Sequence, residues 1–130
     1  MKIRESPAKS AAAAPQAEAV LSKAAVRAAE QLELTQARLA RVLGLSPATA
    51  SRLASGLWRI PKDSKTWELA TAFLRVYRSL SAITGGDAQA MRAWLHSPNA
   101  ALGGEPGQLI AGAEGLIRVL HYLDTVRGRV

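Results

Sequence analysis

Five basic side chains, Arg38, Arg41, Arg59, Lys62 and Lys65, stand close together in the chain. The chemistry they offer is that of phosphate clamps, cationic groups that neutralise a polyanion and release its counterions. The distribution of charge points the same way. Residues 1–80 hold 13 Lys and Arg against 6 Asp and Glu, an excess of +7, whereas residues 81–130 hold 4 against 4. The whole net charge of +7 therefore sits in the first part of the chain, as an electrostatic footprint for nucleic acid requires. Catalytic chemistry has no comparable candidates. His96 and His121 are 25 positions apart, and no Ser-His-Asp or paired-carboxylate spacing accompanies them. Leu102-Gly103-Gly104 lacks the following Lys and Ser/Thr of a phosphate cradle. With no cysteine, disulfides, thiolate metal sites and cysteine nucleophiles are excluded, and a cytoplasmic location fits. These residues describe a binding protein without metal or cofactor, not an enzyme.

Helices must position these groups. Apolar content is 48%, aromatic content only 5%, and alanine is abundant, which favours closely spaced helices and an all-α fold. Residues 1–15 are expected to be a disordered basic tail. From 16 to 32, Val20, Leu21, Ala24, Ala25, Ala28 and Leu32 recur at helical spacing as a buried stripe. Thr35 can cap a second helix with Ala37, Leu39, Ala40 and Leu43 inward, which Gly44 ends. Ser46 and Pro47 open a third, running through Ala50 and Leu53 towards Gly56. After a loop with Trp58 and Ile60, a long helix capped near Asp63 or Ser64 turns Trp67, Phe73, Leu74, Tyr77 and Leu80 inward, and Gly85-Gly86 stops it. Asp87 caps a fifth helix carrying Met91, Trp94 and Leu95. A glycine-rich loop and a turn at Pro106 lead to a last helix, about 113–127, with Leu116, Ile117, Leu120 and Leu123 inward. No apolar run approaches the ~18–20 residues that span a bilayer, so no membrane partner is expected.

Two short helices crossing steeply need a glycine at the turn, a small residue where their backbones approach, and leucines in the wedge. TQARLARVLGLSPATASRLASG, residues 35–56, supplies Gly44, Ala40, and Leu39, Leu45, Ala50 and Leu53. This helix-turn-helix string resembles the Xre-type repressor family, in which Thr-Gln, Leu-Ala, Gly and a later Leu and Gly recur at these offsets. The resemblance implies operator DNA as a partner. Gln36 matches the glutamine such repressors place against a phosphate, where the helix dipole helps. Pro47, Ala48, Thr49, Ser51 and Arg52 match the outer face of the recognition helix, which enters the major groove by its N-terminal end. Arg52 alone among them can pair bidentately with guanine, while Ala48 and the Thr49 methyl suit a thymine methyl. Proline and alanine stand where glutamines often do, so phosphates and DNA shape are expected to outweigh base contacts. Arg38, Arg59 and Lys62 complete the expected DNA-binding set. A single small helix-turn-helix covers a half-site, which calls for a homodimer.

Downstream, Trp94-Leu95, Pro98-Asn99, Leu102-Gly103-Gly104, Pro106, Leu109-Ile110 and Gly115 follow one another in the neutral part. This order resembles the toxin-binding domain of Xre/ParS-type antitoxins. The resemblance implies a helix-turn-helix domain over 16–80 and a small helical toxin-binding domain over 81–130. It implies a type II antitoxin that represses its own operon within a toxin–antitoxin hetero-oligomer. The partner would be a RES-domain toxin, an NAD-using enzyme that degrades NAD or transfers ADP-ribose, neutralised by blocking its cleft. The toxin-binding residues would be Asn99, Leu102, Gly103, Gly104, Pro106, Leu109, Ile110, Gly115, Arg118, Arg127 and Arg129. In that role the glycines allow close backbone approach, Leu109 and Ile110 anchor in an apolar groove, and the arginines bond to carboxylates. The alternative is a free-standing Xre-type transcriptional repressor whose last 50 residues dimerise or bind an effector.

Overall fold

The computed structural model describes residues 7–128, with side chains from residue 13 onward. The described residues form seven helices and no strand: α1 (Pro7–Gln31), α2 (Gln36–Leu43), α3 (Pro47–Ser55), α4 (Lys65–Thr84), α5 (Ala88–Leu95), α6 (Pro106–Leu109) and α7 (Ala113–Val126). The chain is all-α, as expected.

The first helix departs from the sequence reading. It begins at Pro7, so residues 7–15 are helical rather than part of a tail, and residues 1–6 lie outside the described residues. Proline is tolerated at the first helical position, where its missing N–H costs nothing. The alanine run 11–14 then has the highest helix propensity available. Pro15 sits inside the helix and removes one hydrogen bond from its ladder.

The helix ends follow the sequence closely. The hydroxyls of Thr35, Ser46 and Ser64 accept the N–H groups of Arg38, Thr49 and Trp67 at 3.1, 3.2 and 3.0 Å. Asp87 accepts from Gln89 and Ala90 at 3.0 and 3.3 Å. Ser64, not Asp63, is the cap of α4, because Asp63 takes a left-handed conformation (φ 66°) in the turn before it. Gly44 (φ 69°) and Gly56 (φ 82°) end α2 and α3 in the left-handed region that side chains disfavour.

One continuous apolar core runs through the described residues, from Leu32, Leu43, Leu53 and Ile60 through Phe73 and Leu80 to Met91, Leu95, Leu116, Leu120 and Leu123. Helix α4 is its central beam and packs against α1, α2, α5 and α7. Each fully buried large side chain contributes about 1.5–3 kcal/mol, so removing α7 would forfeit several such terms. Three inward assignments change. Val20 is 66% exposed, because the inward stripe of α1 is Ser22, Ala25, Ala28, Ala29 and Leu32. Ile117 is 41% exposed, because Leu116, Val119, Leu120 and Leu123 fill the inner side of α7 and leave Ile117 one position off it. Ala37 faces out, and Val42 takes the buried place on α2.

Helix α5 closes the end of α1. Arg92 Nη1 donates to the Gln31 carbonyl at 3.1 Å, and His96 Nε2 lies 3.1 Å from the Leu32 carbonyl. Arg92 also stands 3.5 Å from the carboxylate of Glu33, the left-handed residue (φ 54°) that turns the chain out of α1. A helix C-terminus presents unsatisfied carbonyls and partial negative charge, so a cationic donor is the fitting partner there.

Candidate functional site

The candidate DNA-binding surface is built from α2, α3 and the loop that follows. Leu39, Ala40, Ala50 and Leu53 are buried in the wedge with half-buried Leu45 against it, which sets the two helices at their crossing. On the outside, Gln36 is the first residue of α2, and Pro47, Ala48, Ser51 and Arg52 are exposed on α3. Thr49 and Arg38 are half-buried. The Thr49 hydroxyl meets Ser46 Oγ at 3.0 Å and accepts from Arg52 Nη2 at 3.3 Å. The Arg52 fork therefore lies back over the N-terminal half of its own helix, the end by which recognition helices of helix-turn-helix proteins in general enter the major groove.

The loop bearing Arg59 and Lys62 is stitched to α1 at three points. Ser22 Oγ accepts the Ile60 N–H at 2.8 Å in a buried bond, Glu18 Oε2 accepts the Lys62 N–H at 2.7 Å, and Arg59 Nη1 donates to the Pro15 carbonyl at 3.1 Å. Lys62 keeps its ammonium in solvent, whereas part of the Arg59 fork is engaged with α1. Ser22 and Glu18 escaped the sequence reading. Ser22 is the lone hydroxyl in residues 16–32 and shares a helix side with Ala25 and Ala29, a faint signal of a buried polar contact.

In the C-terminal part the structure redistributes the expected roles. Asn99 Oδ1 accepts the Leu102 N–H at 3.1 Å and its N–H donates to the Gly104 carbonyl at 2.9 Å, closing a tight loop in which Gly103 is left-handed (φ 76°). Leu102, Pro106 and Ile110 are buried, Ile110 completely. Their side chains fill this chain's own core, so Ile110 is not an anchor for a partner's groove. Gly115 and Gly107 serve the same packing. A Cβ on Gly115 would collide with the Leu109 carbonyl, and one on Gly107 would stand 3.0 Å from the Leu95 carbonyl. Arg118 Nη2 donates to the Leu102 carbonyl at 2.8 Å, and Arg127 Nη1 to Ser79 Oγ at 2.7 Å. These guanidiniums thus already hold internal bonds, with donors to spare. Leu109 is half-buried beside Gly104, and Arg129 lies outside the described residues. Trp94 of α5 stacks on Tyr122 of α7, centroids 6.3 Å apart, bracing the helix whose outer side carries Glu114, Ile117, Arg118 and His121.

Two family matches cover this architecture. Residues 11–75 match the antitoxin Xre-like helix-turn-helix domain, half of the chain, and residues 79–129 match the antitoxin Xre/MbcA/ParS C-terminal toxin-binding domain. No curated protein matches the chain significantly. Fold and surfaces together define a DNA-binding helix-turn-helix protein that also carries a toxin-binding part. The chain belongs to the Xre/ParS-type antitoxins, and its partners are DNA and a toxin. No helix among the described residues is long and apolar enough to cross a membrane.

Proposed function

We propose that the toxin is a RES-fold enzyme that consumes NAD or transfers ADP-ribose, and that the antitoxin neutralises it by laying its C-terminal part over the active-site cleft. The observation that carries this reading is the outer side of α7. Ile117, 41% exposed, stands among Glu114, Arg118 and His121 on a helix whose other side is fully packed. An apolar centre ringed by charge is what an interface buries, and the ring can stay wet. The direct contacts are then Ile117, Leu109, Gly103, Gly104 and Arg118, with Arg129 following the helix. Asn99, Leu102, Pro106, Ile110 and Gly115 give that surface its shape.

In the cytoplasm, the same protein binds its operator as a homodimer and represses its own operon, with the division of labour near residue 80. Pro47, Ala48, Thr49, Ser51 and Arg52 face the major groove, and Gln36, Arg38, Arg59 and Lys62 contact phosphates. It acts by binding, with no metal or cofactor of its own. Co-expression with the enzyme of the neighbouring gene tests the scheme. The enzyme should co-purify with the wild-type antitoxin and cellular NAD should be preserved. Failure of that enzyme to co-purify would overturn its assignment as the partner, and an Ile117→Asp variant that rescues growth as well as wild type would overturn occlusion by the outer side of α7. A point substitution is required, because truncating α7 would remove part of the core.

A further inference from the structure

Arg75 and Arg78 of α4 and Arg127, the residue that caps the C-terminus of α7, converge on one hollow of about 200 Å³, which Ser79 and Asp124 complete. Spacing makes the convergence: positions 75, 78 and 79 share one side of α4, and Asp124 in the last turn of the facing α7 is followed three positions on by its cap, Arg127. Three guanidiniums meet one carboxylate, a local excess of two positive charges. Asp124 accepts from Arg75 alone and leaves the other two guanidiniums uncompensated. Its Oδ2 lies 3.4 Å from Arg75 Nη2, beyond the about 2.7–2.9 Å of a tight charge-assisted bond. Ser79, 2% exposed, accepts from Arg127 Nη1 at 2.7 Å, which fixes the direction of that fork and leaves most of its five donors unused. Arg78 has no ion-pair or hydrogen-bond partner among the described residues. The carbonyl end of α7 opposes an anion here, but its partial charge of about −0.5 is small against the cationic excess.

We propose that this hollow binds a phosphate-type oxyanion, gripped by Arg75, Arg78 and Arg127 across the junction of α4 and α7. Planar forks match phosphate oxygens bidentately, which point-charge lysines do not. The volume falls below the about 300–1,000 Å³ of small-molecule pockets, so it suits a phosphate or a diphosphate group without its nucleoside. The source in the cell is free phosphate or the diphosphate end of a nucleotide. An occupant ties the helix-turn-helix part to the C-terminal part by cancelling repulsion among the three arginines.

The test uses the full-length protein with thermal unfolding and calorimetry. Inorganic phosphate is titrated at ionic strength held constant with sodium chloride, then pyrophosphate and ADP. Phosphate should raise the Tm saturably. Arg78→Gln should weaken binding at least tenfold without lowering the phosphate-free Tm, and Asp124→Asn should tighten binding severalfold by removing the competing carboxylate. ADP binding tighter than phosphate assigns the site to a nucleotide diphosphate, and equal or weaker binding assigns it to free phosphate. Stabilisation no greater than that from chloride, undiminished affinity in Arg78→Gln, or weaker binding in Asp124→Asn would each overturn the proposal.

Discussion

Gly115 sits so close to the carbonyl of Leu109 that a Cβ at this position would fall on the backbone oxygen. The contact joins the end of α6 to the first turn of α7 and sets the angle at which α7 enters the core. A glycine inside a helix normally costs about 0.5–1 kcal/mol relative to alanine. Here the sign reverses. Gly115→Ala should lower stability by about 1–3 kcal/mol, the usual cost of overpacking against a neighbour that cannot retreat. Urea unfolding followed by circular dichroism checks this, and a stabilised variant would show that α6 gives way easily.

Ser22→Ala should destabilise by about 1–3 kcal/mol, because it leaves the Ile60 N–H buried without an acceptor. The same change frees the loop carrying Arg59 and Lys62 from α1, so affinity for all DNA sequences should fall with it. Denaturation and fluorescence anisotropy on one preparation separate the two effects. Unchanged stability would mean that water replaces the hydroxyl.

Arg52→Ala and Lys62→Ala should differ in kind. If Arg52 reads a guanine, its loss costs about 1–3 kcal/mol on the operator and little on random DNA, whereas losing Lys62 weakens all sequences alike and reduces the salt slope by about 1. Titrations on both DNAs across a salt series give the answer. Equal weakening on random DNA by Arg52→Ala would remove it from the base readers.

Ile117→Asp should leave folding and DNA binding intact, because the side chain is 41% exposed and lies outside the core. Toxin neutralisation should drop sharply, since a carboxylate placed in the middle of a buried interface is left without a partner. Growth rescue and pull-down measure it.

Much of this was legible from the chain, for local physical reasons. Thr35, Ser46, Gly44 and Gly56 mark helix ends through single-residue chemistry, and the wedge of Leu39, Ala40, Ala50 and Leu53 follows from spacing. What escaped depends on tertiary context. In an alanine-rich helix such as α1, small residues lie on all sides, so the stripe can be misplaced by a position and Val20 taken for a core residue. Ile117 was misplaced in the same way, because it adjoins Leu116 and both suit an inner side. Glycine and proline in the C-terminal part signal close approach but not its partner. Only the folded chain shows that Gly107 and Gly115 meet its own carbonyls. The helical span from Pro7 departs from the expected tail over residues 1–15, because a shortage of large apolar side chains does not prevent an alanine run from being helical. A long-range bond from Arg59 to the Pro15 carbonyl, 44 positions away, is invisible to periodicity.

The grip of Arg92 and His96 on the Gln31 and Leu32 carbonyls bears on how such proteins can be recombined. A chimaera that joined this C-terminal part to a foreign helix-turn-helix would meet a first helix ending at another place or angle, and two carbonyl acceptors would be lost at the splice. Exchange between relatives is then easiest with donors whose first helix ends at the same point, since only these keep both bonds.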